Sequence, residues 1–218
     1  KDTLKLLIKY IKGDIFYNYT IYEKSLNHVK NNGALISKSK SSFAIVVQGP
    51  LVAQDNFTMT TLKLYRLNFP DASIIFSTWA VSKTIVDELK KHAIIVLQNK
   101  PPQIAGISNL NMQIVTSKAG IIYAEKNGAQ FILKTRSDQR IYHPSLDLYL
   151  FSLLRAFPLK SKKLEQTNRL IGISLDSQKY RIYGLSDMFL FGCASDMIKY
   201  WDATMDTRQG LDKIINID

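Results

Sequence analysis

The stretch Arg136-Ser137-Asp138-Gln139-Arg140 places one carboxylate and two guanidinium groups within five residues. It follows an apolar run at 130–135, which is typical of a buried strand. A carboxylate there can coordinate a divalent cation that bridges to diphosphate oxygens. Arginine can bind phosphate through paired donors. We therefore predict a phosphate-binding site here; the alternative is an ion pair of Asp138 that only orders the loop.

A second carboxylate, Asp187, immediately precedes the apolar run 188–191. That run predicts a strand, so Asp187 is expected at a strand end. A carboxylate in such a position can deprotonate an acceptor hydroxyl. Metal binding, a hydrogen bond to an acceptor and simple capping of the element remain alternatives.

Three further groups of polar or aromatic residues are candidates for ligand binding. Gln48-Gly49-Pro50 follows the first apolar run, and its glycine would let the backbone approach a nucleotide, unless it is an ordinary turn. Thr78-Trp79 follows the second run, where the indole could stack on a base or sugar or belong to the core. Asn109 and Gln113 share a helical face and could bind hydroxyls or a base, or serve as cap and surface residue.

Apolar runs separated by turn signals predict strands that alternate with helices. The predicted strands are 43–47, 73–77, 93–97, 130–135, 170–175 and 188–191, and the predicted helices are 56–68, 82–91, 109–127 and 195–204. This alternation predicts the α/β class with a mainly parallel central sheet flanked by helices. Ligands of such sheets bind beyond the carboxyl ends of the strands, where the candidate residues lie. Residues 1–42 are predicted to form a separate basic, helix-like segment before a domain at 43–218.

The chain of 218 residues has a net charge of +11 and a single cysteine. The positive charge favours phosphorylated ligands or an anionic membrane surface, although it could serve solubility alone. No basic run with interleaved aromatic residues indicates nucleic-acid binding. One cysteine excludes an internal disulfide and suits a reducing cytoplasm. No stretch approaches the ~18 apolar residues that a membrane-spanning helix needs.

The order of five motifs resembles the WavE lipopolysaccharide-synthesis family over residues 43–202. The motifs are Ile-Val-Val-Gln-Gly-Pro at 45–50, Phe-Ser-Thr-Trp at 76–79, Asn-x-Asn-x-Gln at 109–113, Lys-Thr-Arg-Ser-Asp-Gln-Arg-Ile-Tyr at 134–142 and Ser-Asp-Met-Phe-Leu-Phe-Gly at 186–192. The resemblance implies a glycosyltransferase of GT-A type with a Rossmann-like sheet. It implies that Asp138 contacts the metal or diphosphate and that Asp187 lies on the acceptor side. It also implies that the nucleotide approaches Gly49 and Pro50.

These expectations combine into the hypothesis of a glycosyltransferase that uses a nucleotide-sugar donor and a lipopolysaccharide or capsular glycan, or glycolipid, acceptor. Mn²⁺ or Mg²⁺ on Asp138 is a possible cofactor, but only one acid stands where metal-dependent enzymes carry Asp-x-Asp. The expected location is cytoplasmic, peripheral on the inner membrane. The alternatives are a sugar nucleotidyltransferase and a non-catalytic component of a polysaccharide assembly complex.

Overall fold

The structure, a computed structural model, describes residues 42–160, 165–175, 177–178, 180 and 184–208. The predicted N-terminal segment thus lies outside the described residues, apart from its last residue. The strands are β1 (Phe43–Gln48), β2 (Ser73–Thr78), β3 (Ile94–Gln98), β4 (Phe131–Arg136), β5 (Ile171–Gly172) and β6 (Phe189–Cys193). The helices are α1 (Phe57–Asn68), α2 (Lys83–Lys91), α3 (Leu110–Lys126), α4 (Leu146–Ala156) and α5 (Ala194–Trp201).

The six strands form one mixed sheet in the order β3-β2-β1-β4-β6-β5. Strands β1 to β4 pair in parallel, while β6 runs antiparallel to both β4 and β5. Central strands of such a sheet are covered on both faces, which explains their nearly continuous apolar sequences. The predicted α/β class with a mainly parallel central sheet is confirmed.

Helices cover both faces of the sheet. On one face α1, α2 and α4 contribute Leu62, Leu89 and Leu150 to a core with alternate residues of the strands. On the other face α3 and α5 contribute Ile121 and Met197. Burying each of these side chains stabilises the fold by about 1.5–3 kcal/mol.

Two elements differ from the sequence prediction. Helix α4 was not predicted, although Leu150 and its neighbour one turn later, Leu154, are buried at helical spacing. Strand β5 is only two residues long, shorter than the predicted strand at 170–175. It pairs only with β6, so a short segment is enough to complete that edge of the sheet.

Candidate functional site

The ends of three neighbouring strands bring the predicted site residues to one edge of the sheet. In the parallel register, Gln48 at the end of β1 lies beside Ser77 of β2 and beside Arg136 of β4. The carboxyl ends of parallel strands meet at a common edge, as expected from the alternating pattern. Asp187 reaches the same edge because it directly precedes β6, which runs antiparallel to β4.

Arg136 lies between the two predicted catalytic carboxylates and contacts both. Its Nε and Nη2 donate to the two oxygens of Asp138 at 2.9 and 2.7 Å. Its Nη1 donates to Oδ2 of Asp187 at 3.3 Å. The side chains of Arg136, Asp138 and Asp187 are 31%, 45% and 27% exposed, so the cluster is open to a ligand.

The hydrogen bonds from Arg136 lower the pKa of the Asp138 carboxyl below its ordinary value. The same bonds raise the pKa of Arg136. A guanidinium has five N–H groups, and the two carboxylates engage three of them. In the part of the chain that the structure describes, the other two have no hydrogen-bond partner.

Lys134 lies two residues before Arg136 on β4, beneath this cluster, and it is completely buried. Its ammonium donates to the main-chain oxygen of Asp187. It also lies 4.7 Å from the centre of the Trp201 ring. Sequence reasoning did not select this residue; the signal was a lysine directly after the apolar residues 131–133 of a strand predicted to be buried.

A neutral hydrogen-bond network holds the ends of β1 and β2 against α3. The Thr116 hydroxyl lies 2.9 Å from Oε1 of Gln48 and 2.8 Å from the main-chain oxygen of Met112, so these two acceptors share its one proton. The main-chain oxygen of Thr116 accepts from the hydroxyl of Ser77 at 2.7 Å. Asn99 donates to the same Ser77 hydroxyl at 3.0 Å. Gln48, predicted to bind the nucleotide, is therefore buried and engaged inside the protein.

Gly49 and Ser137 form a close internal contact between β1 and β4. Gly49 has φ +121°, a conformation that favours glycine, and an added Cβ would lie 2.6 Å from Oγ of Ser137. Ser137 donates from its hydroxyl to the main-chain oxygen of Pro50 at 2.7 Å and from its amide to Gln48 at 2.8 Å. A glycine is thus needed at position 49 because Ser137 lies so close to it. The sequence analysis had instead explained this glycine by the approach of a nucleotide.

Arg140 is directed away from Arg136 and Asp138. Its guanidinium donates to Oγ1 of Thr61 at 2.8 Å and to the main-chain oxygen of Phe57 at 3.0 Å. It also lies 4.4 Å from the centre of the Phe57 ring. Because these partners belong to α1, on the opposite face of the sheet, the two predicted arginines do not form one clamp.

The predicted residues after β2 differ in exposure. Thr78 is completely buried, and its hydroxyl has no hydrogen-bond partner among the described residues. Trp79 is half-buried at the rim. Only the indole is therefore positioned at the surface, where a ligand could contact it.

In the Asn-x-Asn-x-Gln motif, the central Asn111 makes the firmest contacts. It donates from Nδ2 to the main-chain oxygen of Asp206 at 2.8 Å and accepts from the amide of Asp206 at 2.7 Å. Asn109 is exposed at the start of α3 and caps it without a side-chain hydrogen bond. Gln113 is half-buried. Asn111 therefore attaches the segment after α5 to the start of α3.

The two carboxylates do not fit a divalent-cation site in this arrangement. Hard cations need several oxygen ligands, whereas both oxygens of Asp138 already accept from Arg136. Within the described ranges, no three His, Cys, Asp or Glu side chains converge to hold a metal ion. The guanidinium of Arg136 occupies the position between the acids that a bridging cation would need.

A cavity of about 230 Å³ adjoins the loop that follows β1. Its lining is mainly apolar and comprises Leu51, Val52, Ala53, Asn56, Met59, Thr84, Ile85 and Glu88. These residues come from that loop and from α1 and α2. The cavity lies next to Pro50, whose carbonyl is bonded to Ser137.

Comparison with protein families gives a match to the WavE lipopolysaccharide synthesis model over residues 43–216. The chain belongs to the WavE family. The match includes the described strands and helices and both carboxylates of the cluster. None of the curated proteins matches this WavE-family chain.

Two solved structures are similar in fold. A cytidylyltransferase from Leptospira borgpetersenii is 12% identical with a TM-score of 0.40, over 76% of the WavE-family chain and 66% of its own. A protein named as a nucleotide-diphospho-sugar transferase from Desulfovibrio desulfuricans is 11% identical with a TM-score of 0.41, over 75% and 69% of the two chains. The WavE-family chain thus spans about two thirds of the length of each. Among its described residues, no helix has the length and apolar character needed to cross a bilayer.

Proposed function

We propose that this WavE-family protein is a glycosyltransferase that moves a sugar from a nucleotide-sugar donor to a hydroxyl of a lipopolysaccharide or capsular glycan. The observation that carries the proposal is the guanidinium of Arg136, held between Asp138 and Asp187 at the carboxyl edge of the sheet. Membership of a lipopolysaccharide-synthesis family supports the class of acceptor.

In this proposal Arg136 stabilises the departing nucleotide phosphate. Negative charge develops on the phosphate oxygen as its bond to the sugar breaks, and a fixed donor at that oxygen lowers the barrier. The bidentate bond to Asp138 fixes the plane of the guanidinium and leaves its remaining N–H groups for the phosphate. Asp138 therefore orients Arg136 and does not itself bind a metal.

Asp187 accepts the proton of the acceptor hydroxyl. The hydroxyl oxygen then forms a bond to the anomeric carbon, and the electron pair of the broken carbon–oxygen bond leaves with the phosphate. A carboxylate can accept this proton as a general base. The 27% exposure of its side chain leaves room for the acceptor.

Trp79, half-buried at the rim after β2, is the proposed stacking surface for the nucleobase. Since one guanidinium without a cation neutralises little charge, a donor with a single phosphate, such as a CMP-sugar, suits the site best.

The proposal is tested by thermal shift with UDP-, GDP-, dTDP- and CMP-sugars, followed by a transfer assay with the donor that stabilises the protein. A donor at ~100 times its dissociation constant adds ~2.7 kcal/mol of stability. Asp187→Asn should keep this shift and lose transfer by ~10²- to 10⁴-fold. Asp202→Asn is the matched control, because Asp202 is an exposed acid paired with Lys118.

The products distinguish the competing functions. A glycosyltransferase releases a nucleoside phosphate from a nucleotide-sugar, whereas a sugar nucleotidyltransferase releases pyrophosphate from a nucleoside triphosphate. A non-catalytic assembly component would show neither product and no shift with any donor. Equal transfer by wild type and Asp187→Asn would remove the assignment of the base.

A further inference from the structure

Lys134 is a lysine with no exposed surface, in the centre of a strand. Lysine is almost never fully buried unless it is paired with an opposite charge. The carboxylates nearest to Lys134 in the site, those of Asp138 and Asp187, bond instead to Arg136. The ammonium itself donates to a main-chain oxygen and lies over the Trp201 ring.

The oxygen that accepts from Lys134 belongs to Asp187, the residue proposed above as the base. In the described part of the chain, the carboxylate of Asp187 has one hydrogen bond, the 3.3 Å contact with Arg136. Such a long bond holds the carboxylate weakly. The direction of this side chain therefore depends on how firmly its backbone is held, and Lys134 holds that backbone directly.

We propose that Lys134 is a positioning residue that fixes the main chain at Asp187 and so directs this carboxylate towards the acceptor hydroxyl. The inference rests on the proposed function, and it deepens that proposal by adding a residue that touches neither donor nor acceptor. The contact joins β4, which carries Arg136, to the segment before β6, which carries Asp187. One lysine thus sets the distance between the group that stabilises the leaving phosphate and the base.

Burial of the Lys134 ammonium carries a cost in folding stability. Burial lowers the pKa of Lys134 from 10.5 to about 7; Asp187 and Asp138 oppose the shift, and Arg136 adds to it. Between these two values the unfolded chain binds more protons than the folded one, so stability rises with pH across this range. Below about pH 7 the full cost of the buried charge is present. At neutral pH an apolar residue of similar volume should stabilise the fold.

The helices α3 and α5 contact β4, and two of their titratable groups have partners other than Lys134. The helix α5 contributes Tyr200, whose pKa is raised by burial and by the charge of Asp187. The helix α3 contributes Lys118, whose ammonium is paired with Asp202 at 2.5 Å. The role of Lys134 in the site is therefore assigned from its contact with the main chain of Asp187.

The test is Lys134→Met, which keeps the volume and removes the donor and the charge. We expect its Tm at pH 7 to equal or exceed that of the wild type, while kcat falls at least tenfold and KM for the donor stays within twofold. Hydrogen exchange at the amides of Met188 and Phe189 should become faster, because the preceding backbone loses its tether. Lys118→Met is the matched control: the same substitution on a half-exposed lysine, with kcat and the exchange unchanged.

The outcomes separate this inference from the proposed function. If the wild type transfers sugar and Lys134→Met has the same kcat, the positioning role is wrong and the proposed function stands. If Lys134→Met has both a lower Tm and a lower kcat than the wild type, or fails to fold, Lys134 is merely structural. If the wild type neither binds nor transfers any donor, the proposed function fails and the role of Lys134 fails with it.

Discussion

Two groups of residues at the same edge of the sheet differ sharply in their environment. The neutral network includes the contact between Gly49 and Ser137 and bonds within the protein; it comprises Gln48, Gly49, Ser77, Asn99, Thr116 and Ser137, all buried except the half-buried Asn99. The charged cluster comprises Lys134, Arg136, Asp138 and Asp187, and all but the lysine are partly exposed. In the turn that follows β4, Ser137 bonds inward to Pro50, while Arg136 and Asp138 bond to each other. The neutral network thus aligns the strands, and the charged cluster is the part of this edge that is open to a ligand.

The largest effect on stability is expected from the neutral network, for Gly49→Ala. The positive φ and the 2.6 Å approach to Ser137 each penalise a Cβ, and together they should cost about 3 kcal/mol. Urea unfolding measures the loss. The control is Gly128→Ala, where φ is +87° but no atom lies within 4 Å of the added Cβ. An equal loss at both glycines would show that the contact with Ser137 is not tight.

The next effect is expected from Thr116→Val, which removes the donor to Gln48 and keeps the shape of the side chain. Leaving the buried amide oxygen of Gln48 without its partner should cost about 1–2 kcal/mol. The same substitution at Thr60, which is exposed on α1, should change the free energy of unfolding by less than about 0.5 kcal/mol. Unfolding curves that coincide for the two variants would contradict the structural role of the network.

A smaller effect on stability is expected from the charged cluster, for Asp138→Asn. The pair with Arg136 is partly exposed, so its loss should cost less than about 1 kcal/mol at pH 7. The carboxyl has a lowered pKa in the folded state. Its contribution is therefore present above the ordinary aspartate pKa and is lost as pH falls through the folded value. The unfolding free energies of wild type and variant should converge in acid; a constant difference would contradict the ion pair.

The smallest effect is expected from removal of divalent cations. Because Arg136 already occupies the space between the acids, a chelator such as EDTA should change donor binding and transfer by less than twofold. Loss of transfer with EDTA and its recovery with Mn²⁺ would show that a cation displaces Arg136 in the working site. This experiment therefore tests whether Arg136 or a cation supplies the positive charge between the two acids.

The sequence predicted the strands because these depend on pattern. Apolar runs define buried parallel strands, and residues that follow such strands share one edge. The confirmed strand β1 and the place of Arg136 and Asp138 are direct consequences, whereas Asp187, which precedes β6, reaches this edge because β6 runs antiparallel to β4. The roles of these two carboxylates in catalysis remain predictions.

Side-chain direction was less predictable from the sequence. Arg140 and Arg136 look equivalent in the motif, yet Arg140 packs on Phe57 of α1. The sequence analysis selected Asn109 and Gln113 as candidates and not Asn111. Asn111 is nevertheless the buried asparagine that binds the segment at Asp206. Both outcomes depend on contacts between residues 80 or more positions apart, which no local pattern encodes.

The most direct test of the account is donor binding by Arg136→Met, measured by calorimetry with the nucleotide-sugar that stabilises the wild type. Methionine keeps the apolar part of the side chain and removes every N–H donor from the space between the acids. The account predicts at least a tenfold loss of affinity, equivalent to about 1.4 kcal/mol. Unchanged affinity would show that the phosphate binds elsewhere and would contradict the proposed site.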